Sequence, residues 1–241
     1  MYYEHIVPVN LKTFLDSPSH TNLKNLFLTN TGETDYLDFK ARWSNWTKMA
    51  KHILAIANTG GGAIIIGVDQ LDDGSLDLKG LTEEEYMDKA DIDNKLQHLL
   101  PKYLKCRTED FFFTEDSDPA LHSKLFQVLM IEYDPKYIPY TSIAAGGDLR
   151  YNAIYLRQGT KSIEATHDRL LEIILRKIHS GSMDSKEISL KDHLEQLQTL
   201  FLLKKQALDF SFQHYLEMLI LKKQEKIEML MGIHVKKEDC T

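Results

Sequence analysis

Cysteine is nearly absent from this 241-residue chain, which holds only Cys106 and Cys240. Two thiols cannot frame a disulfide-stapled secreted fold, and they cannot build a zinc knuckle by themselves. Six prolines and 12 glycines are too few for a fibrous or disordered chain. No apolar run approaches the roughly 18 residues that a membrane span needs. The opening Met1-Tyr2-Tyr3-Glu4-His5 lacks the basic and then apolar pattern of a secretion signal. These deficits predict a cytoplasmic protein that does not enter a membrane. Positive charge is also short: Lys+Arg 29 against Asp+Glu 36 gives −7. The basic surplus that marks many nucleic-acid binders is therefore missing from the sum. The shortage is local, because Asp69–Asp93 holds ten acids and two lysines while the remainder is slightly basic.

What is present suits a globular protein, with 43% apolar and 27% charged residues and a length for one large domain or one domain plus an accessory segment. Three zones follow from the pattern: a lead-in over 1–19, an α/β zone over 20–180, and a helical segment over 181–241. Pro8, Pro18 and polar turns break the residues before about 30 into short helices. Tyr36–Lys40 alternates, with Leu37 and Phe39 on one face and Asp38 and Lys40 on the other, as in a half-buried strand. Trp46–Asn58 has helical period and is stopped by Gly60-Gly61-Gly62. Ala63–Val68 reads as a buried strand, Asp88–Leu100 as a helix, Leu125–Tyr133 as a strand, and Ala165–Ile178 as a helix. A strand over Tyr151–Arg157 is expected to close a hairpin after Gly146-Gly147-Asp148. The order predicts an α/β or α+β domain with a mixed sheet and flanking helices. Ser180-Gly181-Ser182 reads as a linker.

From Lys186 to Met231 there is neither Gly nor Pro. Leu190, Leu194, Leu197, Phe201, Leu208, Phe212, Tyr215 and Leu219 form one apolar seam, and Leu216, Ile220, Ile227 and Leu230 form a second stripe beside it. One unbroken helix would be about 69 Å long and would expose both stripes. The segment therefore either folds back as a hairpin near Asp209-Phe210-Ser211 or pairs with another chain as a coiled coil. Self-association through 186–231 is the preferred expectation.

Two constellations carry chemistry. In Glu33-Thr34-Asp35-Tyr36-Leu37-Asp38-Phe39-Lys40, strand alternation puts Asp38 and Lys40 on one face, with Glu33 in the entering turn. Carboxylates converging at a sheet edge suit Mg²⁺ or Mn²⁺, and a lysine there could stabilise charge at a phosphate. The same pattern also occurs on plain exposed strands. Asp69, just past a buried strand, would bring a third carboxylate to Glu33 and Asp38. Asn58, Thr59, Gly60, Gly61 and Gly62 form the second constellation, either an anion-holding backbone loop or simply a tight turn. Arg42, Lys48, Lys51, Arg150, Arg157 and Lys161 are candidate phosphate contacts, with Tyr155 and Tyr151 as stacking surfaces. Lys102, Lys105 and Arg107 form a further basic group after Pro101. The ten histidines show no pair at metal-binding helical spacing.

These motifs in this order resemble the Schlafen-type AlbA-like domain family. The likeness runs through Glu33…Asp38-Phe39-Lys40, Ala55-Ile56-Ala57-Asn58-Thr59-Gly60-Gly61-Gly62 and Ile66-Gly67-Val68-Asp69-Gln70. It continues through Tyr155-Leu156-Arg157-Gln158-Gly159-Thr160 and covers about 20–178. The resemblance implies a nucleic-acid-binding α/β domain. In the family's nuclease branch it implies a metal-dependent endoribonuclease cutting structured RNA such as tRNA or rRNA, as a toxin or antiviral effector would. Glu33, Asp38 and Asp69 would then hold the metal and Lys40 would stabilise charge. Asp38 stands where the family usually has Glu, and Gln70 rather than Asp69 is an alternative match for the third acid. The other readings are a non-catalytic DNA- or RNA-binding regulator dimerised by its tail, or an ATP-binding module.

Overall fold

The computed structural model describes residues 7–29, 32–71, 74–114, 118–183, 190–206 and 210–231. Two compact units divide the chain, one ending at Ile173 and one beginning at Ile174.

The first unit is built on a four-stranded mixed sheet. Strand β1 (Leu37–Lys40) runs parallel to β2 (Gly62–Ile66), pairing Asp38 with Ile64 and Lys40 with Ile66. A parallel pair needs a long crossover, and α3 (Trp46–Thr59) supplies it. Asn45 starts α3 by accepting from the backbone N–H of Thr47 and Lys48. Strand β6 (Leu125–Ile131) lies antiparallel to β2, and β5 (Cys106–Phe112) closes the order β1-β2-β6-β5. Alternation along β2 sorts the core into two layers. Ile64 and Ile66 face α3 with Leu129 and Ile131. Ala63 and Ile65 face α1 (Val9–Asp16) and α2 (His20–Thr29), with Val128 and Met130.

Several expectations change at this point. The lead-in is part of the core: Leu11 and Phe14 of α1 are fully buried. Strand β1 is buried on both faces rather than one, so Asp38 has no exposure at all. β5 carries too mixed a pattern to be read from sequence, because an edge strand tolerates exposed charge such as Glu109 and Asp110, which hold Lys89. The strand starting at Tyr155 finds its partner downstream: β7 (Tyr155–Gln158) pairs with β8 (Lys161–Glu164). Gly159, at φ +60°, makes that two-residue turn possible. A further hairpin, β3 (Asp69–Gln70) and β4 (Leu76–Asp77), follows β2. The expected second helix is α4 (Lys89–Leu96), capped by Asp88. Ser180-Gly181-Ser182 is no linker, since α5 (His167–Met183) runs through it.

In the second unit α6 (Leu190–Gln206) and α7 (Phe210–Leu230) contact one another as a helical hairpin, the fold-back alternative. Leu216, Ile220 and Ile227 from the second stripe are buried with Leu200, Leu203 and Leu219. Leu194 and Phe201, from the longer seam, stay about half exposed. Leu208 lies outside the described residues, as do the side chains of Leu190 and Leu230. Among the described residues no helix is long and apolar enough to cross a membrane.

Candidate functional site

Residues from four elements meet beside β1. Asp38 and Lys40 project from the strand toward the α3 side, and Glu33 reaches back from the preceding turn. His52 comes from α3 and Arg157 and Ser162 from the β7–β8 hairpin. Asp38 and the Arg157 side chain are both fully buried, and Arg157 Nη2 donates to Asp38 Oδ1 at 3.2 Å. Lys40 Nζ stands 2.7 Å from Asp38 Oδ2 and 3.3 Å from Glu33 Oε1, while also donating to Phe39 O. Arg157 Nη2 also donates to Thr34 O, and Nη1 reaches Ser162 Oγ and His52 Nδ1.

The charges explain the protonation states. Burial pushes the Glu33 carboxyl above its usual value, and its hydrogen bond and repulsion with Asp38 push the same way, against Lys40 and Arg157. Burial also pushes Asp38 upward, but Lys40, the bond from Glu33, His52 and Arg157 outweigh it and leave Asp38 lowered. The first proton this pair accepts therefore belongs to Glu33. Burial brings His52 down to about 4, helped by Lys40, Arg157 and Lys48 and opposed by Asp38. Because a guanidinium can only donate, Nδ1 of this neutral ring is the acceptor and the proton sits on Nε2. Ser162 Oγ, 2.9 Å away, donates to the same nitrogen.

Asp69 does not join them. Its carboxylate lies on the β3–β4 hairpin and pairs with Lys79 at 3.0 Å. Gln70, the next residue, is the one directed toward the Glu33 turn: a Cβ on Gly32 would lie 2.6 Å from its Nε2. Strand alternation separates the two neighbours. Among the described residues no group of three His, Cys, Asp or Glu side chains could hold a metal ion. Glu33 and Asp38 alone do not suit Mg²⁺ or Mn²⁺ either. Two cationic side chains already occupy the positions from which a divalent ion would draw its charge compensation.

The glycine run has a structural explanation. Asn58 is fully buried; its amide donates to Tyr140 O and Tyr155 O and accepts from Tyr140 N. Thr59 Oγ1 donates to Ala55 O and accepts from Arg157 N. These two residues fasten the β7–β8 hairpin to α3. The Gly60 and Gly61 N–H groups are spent on Ile56 O, at a helix C-terminus whose dipole disfavours an anion. Gly62 is required because a Cβ there would sit 1.9 Å from Tyr36 O. A surface cavity of about 310 Å³ does lie beside the run, bordered by Leu15, Arg107 and Tyr133.

The basic candidates divide by burial. Arg157 is the buried counter-ion described above and cannot meet a phosphate from that position. Tyr155 is also buried, its hydroxyl accepting from Arg150 N at 2.8 Å. It is therefore a core ring, not a stacking surface. Arg150 is exposed, and its Nη1 donates to both carboxylate oxygens of Glu164. Arg42, Lys48 and Lys161 are exposed, and Lys51 lies 5.4 Å from the Tyr155 ring centre. Among the described residues none of these four joins an ion pair. His52 was missed by sequence reasoning, because its role depends on a hairpin more than one hundred positions away.

A family model described as Schlafen, AlbA_2 matches residues 33–166, which contain every member of this cluster. No curated protein matches the chain.

Proposed function

The chain belongs to the Schlafen AlbA_2 family, and on that premise we propose that it is a nucleic-acid-binding protein whose acid–base cluster fastens the binding surface. The observation that carries this reading is the division of the cations. Arg157 and Lys40 are consumed by Asp38 and Glu33, whereas Arg42, Lys48, Lys51 and Lys161 remain available on α3, its approach and the neighbouring hairpin. Cations held on a rigid scaffold attract a phosphate backbone and release its counterions. RNA is the favoured partner, with tRNA or rRNA as natural substrates to try and DNA as the comparison. The free thiol of Cys106 supports a reducing, cytoplasmic setting. The half-exposed Leu194, Phe201 and Met218 support self-association through the helical hairpin.

Incubation of the full chain with tRNA and with duplex DNA, in Mn²⁺ and in EDTA, tests the reading. Retention that weakens with salt, is indifferent to EDTA and leaves the RNA intact is expected. Replacing Lys48 and Lys161 with Ala should flatten the salt dependence by about one unit per lost phosphate contact. Mn²⁺-dependent cleavage abolished by Asp38→Asn would replace this reading with the endoribonuclease one, with Glu33, Asp38 and Lys40 rearranging around the ion.

A further inference from the structure

A second surface of the α/β unit pairs flat aromatic rings with lysines that, among the described residues, join no ion pair. Tyr103 and Tyr137 stack with ring centres 4.8 Å apart and planes within 5°. Each ring is presented by a tight turn tied to the core. Tyr103 sits in the turn closed by Leu104 N donating to Pro101 O at 3.0 Å, and Leu104 itself is buried. Tyr137 closes a turn on Asp134 O at 3.1 Å and precedes the fully buried Ile138. Glu132 N donates to Lys105 O, so backbone also joins the segments that carry the two turns.

The two rings have different surroundings. Tyr137 packs against the core cluster, whereas Tyr103 is 62% exposed. Tyr103 thus covers little of the core, and its aromatic surface is open to a third ring. Lys102 and Lys105 flank it in sequence, and Lys136 Nζ lies 5.7 Å from the Tyr137 ring centre. All three lysines are exposed, and among the described residues none is in an ion pair. Glu132 and Asp134, the latter accepting from Lys136 N through Oδ1, are the acids on these segments, so the three lysines outnumber them.

We propose that Tyr103, backed by Tyr137 and with Lys102, Lys105 and Lys136 on the same two segments, is a platform on which an unpaired base of a single-stranded nucleic acid stacks. The proposal rests on the nucleic-acid-binding reading above and adds a strand preference to it. A duplex keeps its bases stacked internally and can offer this surface only phosphates. An unpaired base offers a π face of the same dimensions as the tyrosine ring, and its phosphates meet the lysines. The rings are held in place before binding, so little ordering is lost on contact.

The test uses the full chain, with fluorescence anisotropy of a short labelled oligouridylate and of an RNA duplex of similar length. Y103A should weaken oligouridylate binding about tenfold while leaving its salt dependence unchanged, and Y103W should restore it. Duplex binding should be unaffected by Y103A. The combined K102A and K136A variant should instead flatten the salt dependence for the single strand. An unchanged unfolding midpoint would show that these surface variants fold. If wild-type protein binds oligouridylate and Y103A binds it equally well, the platform is refuted while the nucleic-acid reading stands. An equal loss for duplex and single strand on Y103A would also refute the platform. If wild-type protein binds neither RNA, the nucleic-acid reading itself falls.

Discussion

Each unit of this protein buries a cation, and the two solve the resulting problem differently. In the α/β unit Arg157 has no side-chain exposure and lies 3.2 Å from Asp38, with Glu33 and Lys40 completing the set. In the helical hairpin Lys223 is almost as deeply buried, yet its partner is His193 Nδ1 at 3.0 Å. Among the described residues no carboxylate pairs with Lys223. A guanidinium keeps its charge under all ordinary conditions, so the α/β unit must supply opposite charge. A lysine can lose its proton instead. Burial, with a smaller contribution from Lys226, lowers Lys223 to about 8. One unit is thus held by charge compensation, and the other carries a charge that it can shed.

The sharpest way to break this contrast is Arg157→Ala. It leaves the buried Asp38 with Lys40 as its one remaining ion-pair partner and removes the bonds that tie β7 to Asp38 and to the Thr34 turn, so a loss of about 3 kcal/mol is expected. Both tryptophans, Trp43 and Trp46, lie in the α/β unit, so their fluorescence during urea unfolding reports that unit alone. An Arg157→Met, Asp38→Leu double variant should recover much of the loss, because neither charge then remains unpaired. A double variant as unstable as Arg157→Ala would mean that the cluster contributes shape rather than compensation.

Lys223→Met should act in the opposite direction and stabilise the hairpin by about 1–3 kcal/mol at neutral pH. The folded pKa near 8 lies below the ordinary 10.5. The unfolded chain therefore binds more protons between those values, and hairpin stability rises with pH through that window. Below about 8 the full penalty of burying the ammonium is present. Helix circular dichroism, followed beyond the tryptophan transition, should show this rise in the wild type and no such rise in Lys223→Met.

The smallest net effect concerns His52, because the shift of Glu33 opposes it. Its folded value near 4 lies below the ordinary 6.5, so the unfolded chain again binds more protons and stability falls as pH drops from 6.5 toward 4. Glu33, raised by burial and by Asp38, works against that fall, since its protonated form is favoured in the folded state. In His52→Gln the tryptophan-monitored loss over this range should shrink. An identical acid profile would show that Ser162 and Arg157 hold the ring without a protonation cost.

Much of the architecture was legible because it is written at short range. The period of Trp46–Asn58 and the β-branched run at Ile64–Ile66 predicted α3 and β2 to within a few residues, and the two apolar stripes left a fold-back hairpin as one of two alternatives for the tail. The sequence also placed Asp38 and Lys40 together, since a period of two requires it. The linker reading at Ser180–Ser182 failed because helical neighbours override the weak local preference of one glycine. Strand β5 was missed because an edge strand needs no clean alternation.

The roles of the charged residues could not be read in the same way. Glu33, Asp38 and Asp69 appear equivalent in sequence as acids beside strands, yet Asp69 pairs with Lys79 while Asp38 is buried against a guanidinium from the late hairpin. Arg157 and Lys161 lie four positions apart, one fully buried and the other exposed. Residue type and periodicity determined which elements form and which faces turn inward, because those depend on backbone geometry and apolar area. Which charges compensate one another was decided only when β7–β8 docked on α3 and brought residues more than one hundred positions apart within hydrogen-bonding distance. Electrostatic energy depends on that final separation and burial, and neither quantity exists in the unfolded sequence.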